Sequence, residues 1–110
     1  MILITRGDTC PFSFTRVDKT GEIIQEMATK IYFTVKKDYN SEKVVLQKTI
    51  GDMSFDNGTY HFTIEPEDTN GLEYGLYVYD LEVITDEYKQ TISKGPIRIT
   101  EEVTFESDEV

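Results

Sequence analysis

Residues 77–84 read YVYDLEVI, an alternation from which the architecture follows. Tyr77, Tyr79, Leu81 and Val83 fall on one side of an extended chain, and Val78, Asp80, Glu82 and Ile84 on the other. Successive side chains of a strand point to opposite faces, so the segment carries one apolar row and one mixed row. The same period of two recurs on both sides of it. Ile31, Phe33 and Val35 alternate with Tyr32, Thr34 and Lys36; Tyr60, Phe62 and Ile64 alternate with His61 and Thr63. Phe12 and Phe14 flank Ser13, Ile97 and Ile99 flank Arg98, and Val103 and Phe105 flank Thr104. No segment shows a helical stripe of ten or more residues.

Turn signals punctuate these runs. Asp18–Gly21 (DKTG) and Asp56–Gly58 (DNG) supply residues that tolerate positive φ, and Asn57-Gly58 is the pair preferred by a two-residue primed hairpin turn. Lys36–Glu42 (KKDYNSE) reads as a longer polar loop and Thr85–Tyr88 (TDEY) as a tight hairpin connection. In Pro66–Gly75, Pro66 suits a first helical position, Glu67 and Asp68 a first turn, and Gly71 a stop, predicting one short helical turn that crosses between sheets.

Strands are therefore expected near Ile2–Thr5, Pro11–Val17, Lys30–Lys37, Val44–Ile50, Thr59–Ile64, Leu76–Thr85, Tyr88–Ser93 and Pro96–Phe105. Seven or eight short strands at this spacing, each with one buried face, predict an all-β, two-sheet sandwich of immunoglobulin-like type with one short helical turn. One Cys and no Trp exclude the disulfide-and-tryptophan core of antibody domains, so the seven Tyr and six Phe are expected to fill that space. A single domain is expected over residues 1–105, of a size that buries roughly two-thirds of the unfolded chain's surface. The acidic stretch Glu106–Val110 (ESDEV) is expected to fray.

Eleven basic against 21 acidic residues give a net charge of −10. That charge repels phosphate backbones and anionic membrane surfaces, so neither nucleic acid nor a membrane is an expected partner. The acids are unevenly spread: ten lie between Thr49 and Tyr88, where there is no Lys or Arg. A solvated acidic surface is the plain reading, and faces of opposite sign presented to neighbouring copies or a partner the sharper one. No apolar stretch approaches the length that spans a bilayer, and the start MILITRGDTC shows no export leader.

Chemical signatures are sparse. His61 and Cys10 are each the only residue of their kind, so one chain assembles no zinc cluster of these ligands, and a histidine triad would rest on an outward-facing His61. Cys10 reads as a half-buried filler. Asp52, Asp56 and Asn57 lack the alternating ligands and distal Glu of an EF-hand loop and read as turn residues. An acid–base pair built on Glu65 or Glu67 would need a carboxyl in an apolar cleft, whereas the acids here alternate outward. No catalytic, cofactor-binding or metal-binding residues are assigned and no cofactor is expected. Tyr32, Tyr39, Tyr74 and Tyr88, off the main apolar rows or in loops, are the candidates for a carbohydrate- or surface-binding face, or simply cover sheet edges. Arg6-Gly7-Asp8 has the form of an adhesion tripeptide, but it falls between two predicted strands. Gly7 there supplies a permissive backbone, and Asp8 is expected to cap its own turn through the Thr9 or Cys10 amides.

Three stretches together carry a resemblance: ITRGDTCPFSFTRVDKTGE from Ile4, KIYFTVKKDYNSEKVVLQKTI from Lys30 and GTYHFTIEPEDTNGLEYGLYVYDLEVI from Gly58. They resemble small phage and prophage virion proteins of Gram-positive hosts, similar to the N-terminal immunoglobulin-like domain of the siphophage upper baseplate protein. The resemblance implies a non-enzymatic structural or adaptor subunit of the tail or baseplate. Its partners would be other virion or baseplate proteins or, as a homo-oligomer, further copies of the chain, and its locations the virion and, during assembly, the host cytoplasm. The chain departs from that protein in ending soon after Phe105, without a long helical continuation, so no docking residues carry over.

Overall fold

The structure, a computed structural model, describes residues 1–101. Eight strands are present: β1 (Ile2–Thr5), β2 (Cys10–Thr15), β3 (Lys30–Lys36), β4 (Val44–Thr49), β5 (Ser54–Asp56), β6 (Thr59–Ile64), β7 (Gly75–Ile84) and β8 (Lys89–Thr100). They form a five-stranded sheet of order β1-β8-β7-β3-β4 and a three-stranded sheet of order β2-β6-β5. All neighbours are antiparallel except β1 and β8, which run parallel with Ile2 opposite Ile97 and Ile4 opposite Ile99. This is the all-β, immunoglobulin-like sandwich the alternation predicts.

The apolar rows meet between the sheets. Ile4, Ile31, Phe33, Val35, Tyr60, Phe62, Ile64, Val83, Ile97 and Ile99 are all buried there. Aromatic rings occupy the centre: Phe12 and Phe62 of the smaller sheet lie 5.5 Å apart, Phe33 of the larger lies 5.0 Å from Phe62, and Tyr79 lies 5.7 Å from Phe33. Each such pair adds about 0.5–1.5 kcal/mol beyond its buried area, which is how the sandwich does without a disulfide or Trp. Two buried tyrosines also need partners for their hydroxyls. Tyr60 Oη accepts the Ala28 amide at 2.9 Å, and Tyr77 Oη donates to the Glu73 carbonyl at 2.8 Å, the tyrosine-corner bond at the entry to β7.

The Asn57-Gly58 turn forms as expected, with φ of 49° and 84° between the paired Asp56 and Thr59. Gly58 is also required by crowding, because a Cβ there would lie 2.4 Å from Ile23 Cγ2. The helical turn, α1, spans Pro66–Asn70 with Pro in its first turn and crosses from β6 in one sheet to β7 in the other. The Asp68 carboxylate accepts the Glu65 amide at 2.7 Å and so satisfies a donor that the short helix leaves open.

Three details differ from the sequence reading. The two strands expected over Tyr88–Ser93 and Pro96–Phe105 are, within the described residues, one twelve-residue strand, β8, paired along the whole of β7. Pro96 is tolerated because β1 flanks β8 only from Ile97 onward, so Pro96 sits where the strand's outer side is still an edge. Ser54–Asp56 forms the short strand β5, which has too few residues to show a period; only Phe55 faces inward, 4.6 Å from Tyr60. Ile50–Asp52 leaves the β4 pattern as a 3-10 turn, closed by the Asp52 carboxylate on the Thr49 amide at 2.8 Å. The expected end of the domain at Phe105, the Val103–Phe105 alternation and the tail Glu106–Val110 lie outside the described residues.

Candidate functional site

Arg6-Gly7-Asp8 forms the corner between β1 in the larger sheet and β2 in the smaller. Gly7 has φ 86°, and the Asp8 amide donates to the Thr5 carbonyl at 3.1 Å, closing a tight turn. The corner is fixed to the β6–β7 crossing. Gly7 N–H donates to Thr69 Oγ1 at 2.9 Å, the Arg6 guanidinium stacks on the Tyr74 ring at 4.2 Å, and it donates to the Leu72 carbonyl at 3.3 Å. Arg6 is thereby held against its own domain while Asp8 points to solvent, so the two charges do not project together. The expected capping by Asp8 is absent: the Asp8 side chain accepts no hydrogen bond among the described residues. Thr69, remote in sequence and fully buried, does the anchoring instead.

The other candidates are dispersed. His61 is exposed on β6, on the face away from the core. Cys10 is half-buried, and burial, then the nearby Asp8 carboxylate, push its thiol up, so it is held protonated and weakly nucleophilic. Asp52 is engaged in the 3-10 turn, Asp56 and Asn57 in the hairpin, and no group of three or more His, Cys, Asp or Glu side chains among the described residues is placed to hold a metal ion. Glu65 precedes α1 half-buried and Glu67 is exposed on it. No helix among the described residues is long and apolar enough to cross a membrane.

Of the four candidate tyrosines, the fold brings Tyr32 and Tyr39 to one surface and sends the others elsewhere. Tyr74 stacks under Arg6, and Tyr88 lies at the β7–β8 turn. On the outer face of the larger sheet a groove of about 280 Å³ runs past Tyr32, Thr34, Gln47, Asp80 and Glu82. A smaller cleft of about 70 Å³ adjoins it, sharing Thr34 and Asp80 and walled by Tyr39. Charges of both signs interleave here: Asp80 lies between Thr34 on β3 and Lys94 on β8, and the Lys89 ammonium lies 3.6 Å from the Glu82 carboxylate. On this face acidic and basic residues are therefore mixed, because β7 pairs between β3 and β8.

The free edges of the sheets differ in how they are protected. β5 has only three residues, β2 carries Pro11, which has no N–H to offer, and β4 is kinked by a register shift opposite Val35/Lys36. The uncovered first part of β8 carries Lys89, Lys94 and Pro96. Short length, Pro, bulges and charges all discourage pairing with another chain. β1, with sequence ILIT, has no Pro, bulge or charge, and its Leu3 is 65% exposed. Its sequence signal is the apolar run at Ile2–Ile4, and the sheet order places it outermost.

Compared with family models, curated proteins and solved structures, the chain matches none of them.

Proposed function

We propose that this chain is a non-enzymatic structural or adaptor subunit of a phage or prophage particle, associated with the tail or baseplate and docked on other virion proteins through the β1 edge. The observation that supports the reading is the contrast among the sheet edges: the four-residue β1 alone carries no Pro, bulge or charged side chain. A neighbouring strand added there would extend the five-stranded sheet, with Leu3 contributing apolar contact on its outer face. The resemblance in sequence supports the setting, and the net charge of −10 favours protein partners over nucleic acid or a membrane surface. Such a subunit resides in the virion and, before assembly, in the host cytoplasm. Quantitative mass spectrometry of purified particles from the phage or prophage that encodes the chain tests this. A fixed copy number is expected; absence from particles that are otherwise complete would sink the reading.

A second reading, a carbohydrate- or surface-binding module, is favoured by one observation: Tyr32 and Tyr39 flank adjoining clefts that present Thr34, Gln47 and Asp80. Aromatic faces beside amide and carboxylate groups are the chemistry that holds a sugar ring and its hydroxyls. On a glycan array, binding that is lost with Tyr39→Ala supports this module, and no binding by the wild type excludes it.

A further inference from the structure

Arg16, just beyond β2, is 4% exposed, yet no carboxylate lies within ion-pair distance of it among the described residues. Its side chain reaches across the end of the sandwich. One terminal nitrogen donates to the Glu26 carbonyl at 2.6 Å and the other to Tyr88 Oη at 3.2 Å, while Nε is buried and has no acceptor. A guanidinium brings five N–H donors and a full charge, and burying it without a counter-charge is costly. Arg16 also lines a cleft of about 240 Å³ between Ile24–Thr29 and the β7–β8 turn, whose rim holds Glu26, Asp86 and Glu87. Tyr88 Oη accepts from Arg16, so its own proton remains available to a ligand in the cleft.

The charges are thus ordered in depth, with a cation at the base and carboxylates at the rim. A simple anion would satisfy Arg16 but be repelled at the rim, and a simple amine would suit the rim but meet Arg16 below. We infer that the cleft is a binding site for a small zwitterion of the amino-acid type, its carboxylate directed at Arg16 and Tyr88 and its ammonium at Asp86 and Glu87. The inference rests on Arg16 and its surroundings and does not depend on the particle reading above.

The test follows the Nε–Hε resonance of Arg16, one of three arginines in the chain, by ¹⁵N-edited NMR. Glycine, acetate and methylamine are titrated separately into the full chain at constant ionic strength. Glycine is expected to give a saturable shift at several-fold lower concentration than acetate, and methylamine none at that resonance. Arg16→Gln risks unfolding, so the deciding variant is Asp86→Asn with Glu87→Gln, both on the exposed turn. It should keep the fold and lose the preference for glycine over acetate. No saturable shift with glycine, or equal affinity for glycine and acetate in the wild type, would overturn the inference.

Discussion

Lys48 Nζ on β4 lies 2.7 Å from Asp68 Oδ2 on α1, with the two side chains only 15% and 21% exposed. The pair ties the crossing segment to the edge of the larger sheet, and the same carboxylate holds the Glu65 amide. Burial by itself pushes Asp68 up, but the Lys48 ammonium and the Glu65 N–H outweigh it and hold the carboxyl below its ordinary value. Because the native value is the depressed one, the pair's contribution is present above the unfolded aspartate value and lost as pH falls through the native one. Asp68→Asn should cost about 1–2 kcal/mol at neutral pH, between the small effect of an exposed ion pair and the large cost of stranding a buried charge. The melting difference between wild type and variant should shrink below about pH 4, where the unfolded carboxyl protonates. A pH-independent difference in thermal melts would show that the ion pair contributes nothing.

Gly7→Val should cost about 1–2 kcal/mol or more, since φ 86° places a β-branched side chain in the left-handed region. Asp8→Glu, at an exposed carboxylate without partners, should stay within about 0.5 kcal/mol of wild type. Urea unfolding of both variants checks the contrast, and equal midpoints would remove the turn account of the tripeptide.

Tyr60→Phe keeps the buried ring but strands the Ala28 amide, which the hydroxyl satisfies at 2.9 Å. A loss of about 1–3 kcal/mol is expected, the cost of a buried donor left unpaired. In hydrogen exchange, the Ala28 amide should lose protection beyond what the global loss of stability explains.

Gly58→Ala combines a left-handed φ with a Cβ placed 2.4 Å from Ile23 Cγ2. It should destabilise by more than the roughly 1–2 kcal/mol that the backbone alone imposes. Ile23→Ala in the same chain should recover part of that excess, and chemical denaturation of the double variant measures it.

Leu3→Lys places a charge on the unprotected β1 edge, at a side chain that is 65% exposed. The thermal midpoint should change little, because surface substitutions stay within about 0.5 kcal/mol. Incorporation into particles should fall, since an edge charge discourages strand addition. Unchanged incorporation would rule out docking through β1.

Much of this architecture was legible from residue patterns because side-chain alternation is a local consequence of the extended backbone. Tyr77–Ile84 announces its two faces without reference to any other segment, and Asn57-Gly58 and Pro66 announce their turns by their own backbone preferences. Where those preferences conflicted with pairing, pairing prevailed. Pro96 and Gly95 look like a break between strands, yet β7 pairs straight through them because the missing N–H falls on an unpaired side.

Residue patterns alone were enough to specify an all-β sandwich with an aromatic core and to put Arg6-Gly7-Asp8 between two strands. The tertiary structure decided which groups meet: Thr69 with Gly7, Lys48 with Asp68, and Arg16 with Glu26 and Tyr88. It also decided which edge stays open. A backbone preference is a property of a few consecutive residues, whereas a partner or a free edge depends on how distant strands are ordered in the sheets. In this chain that order places residue 2 beside residue 97 and leaves β1 outermost.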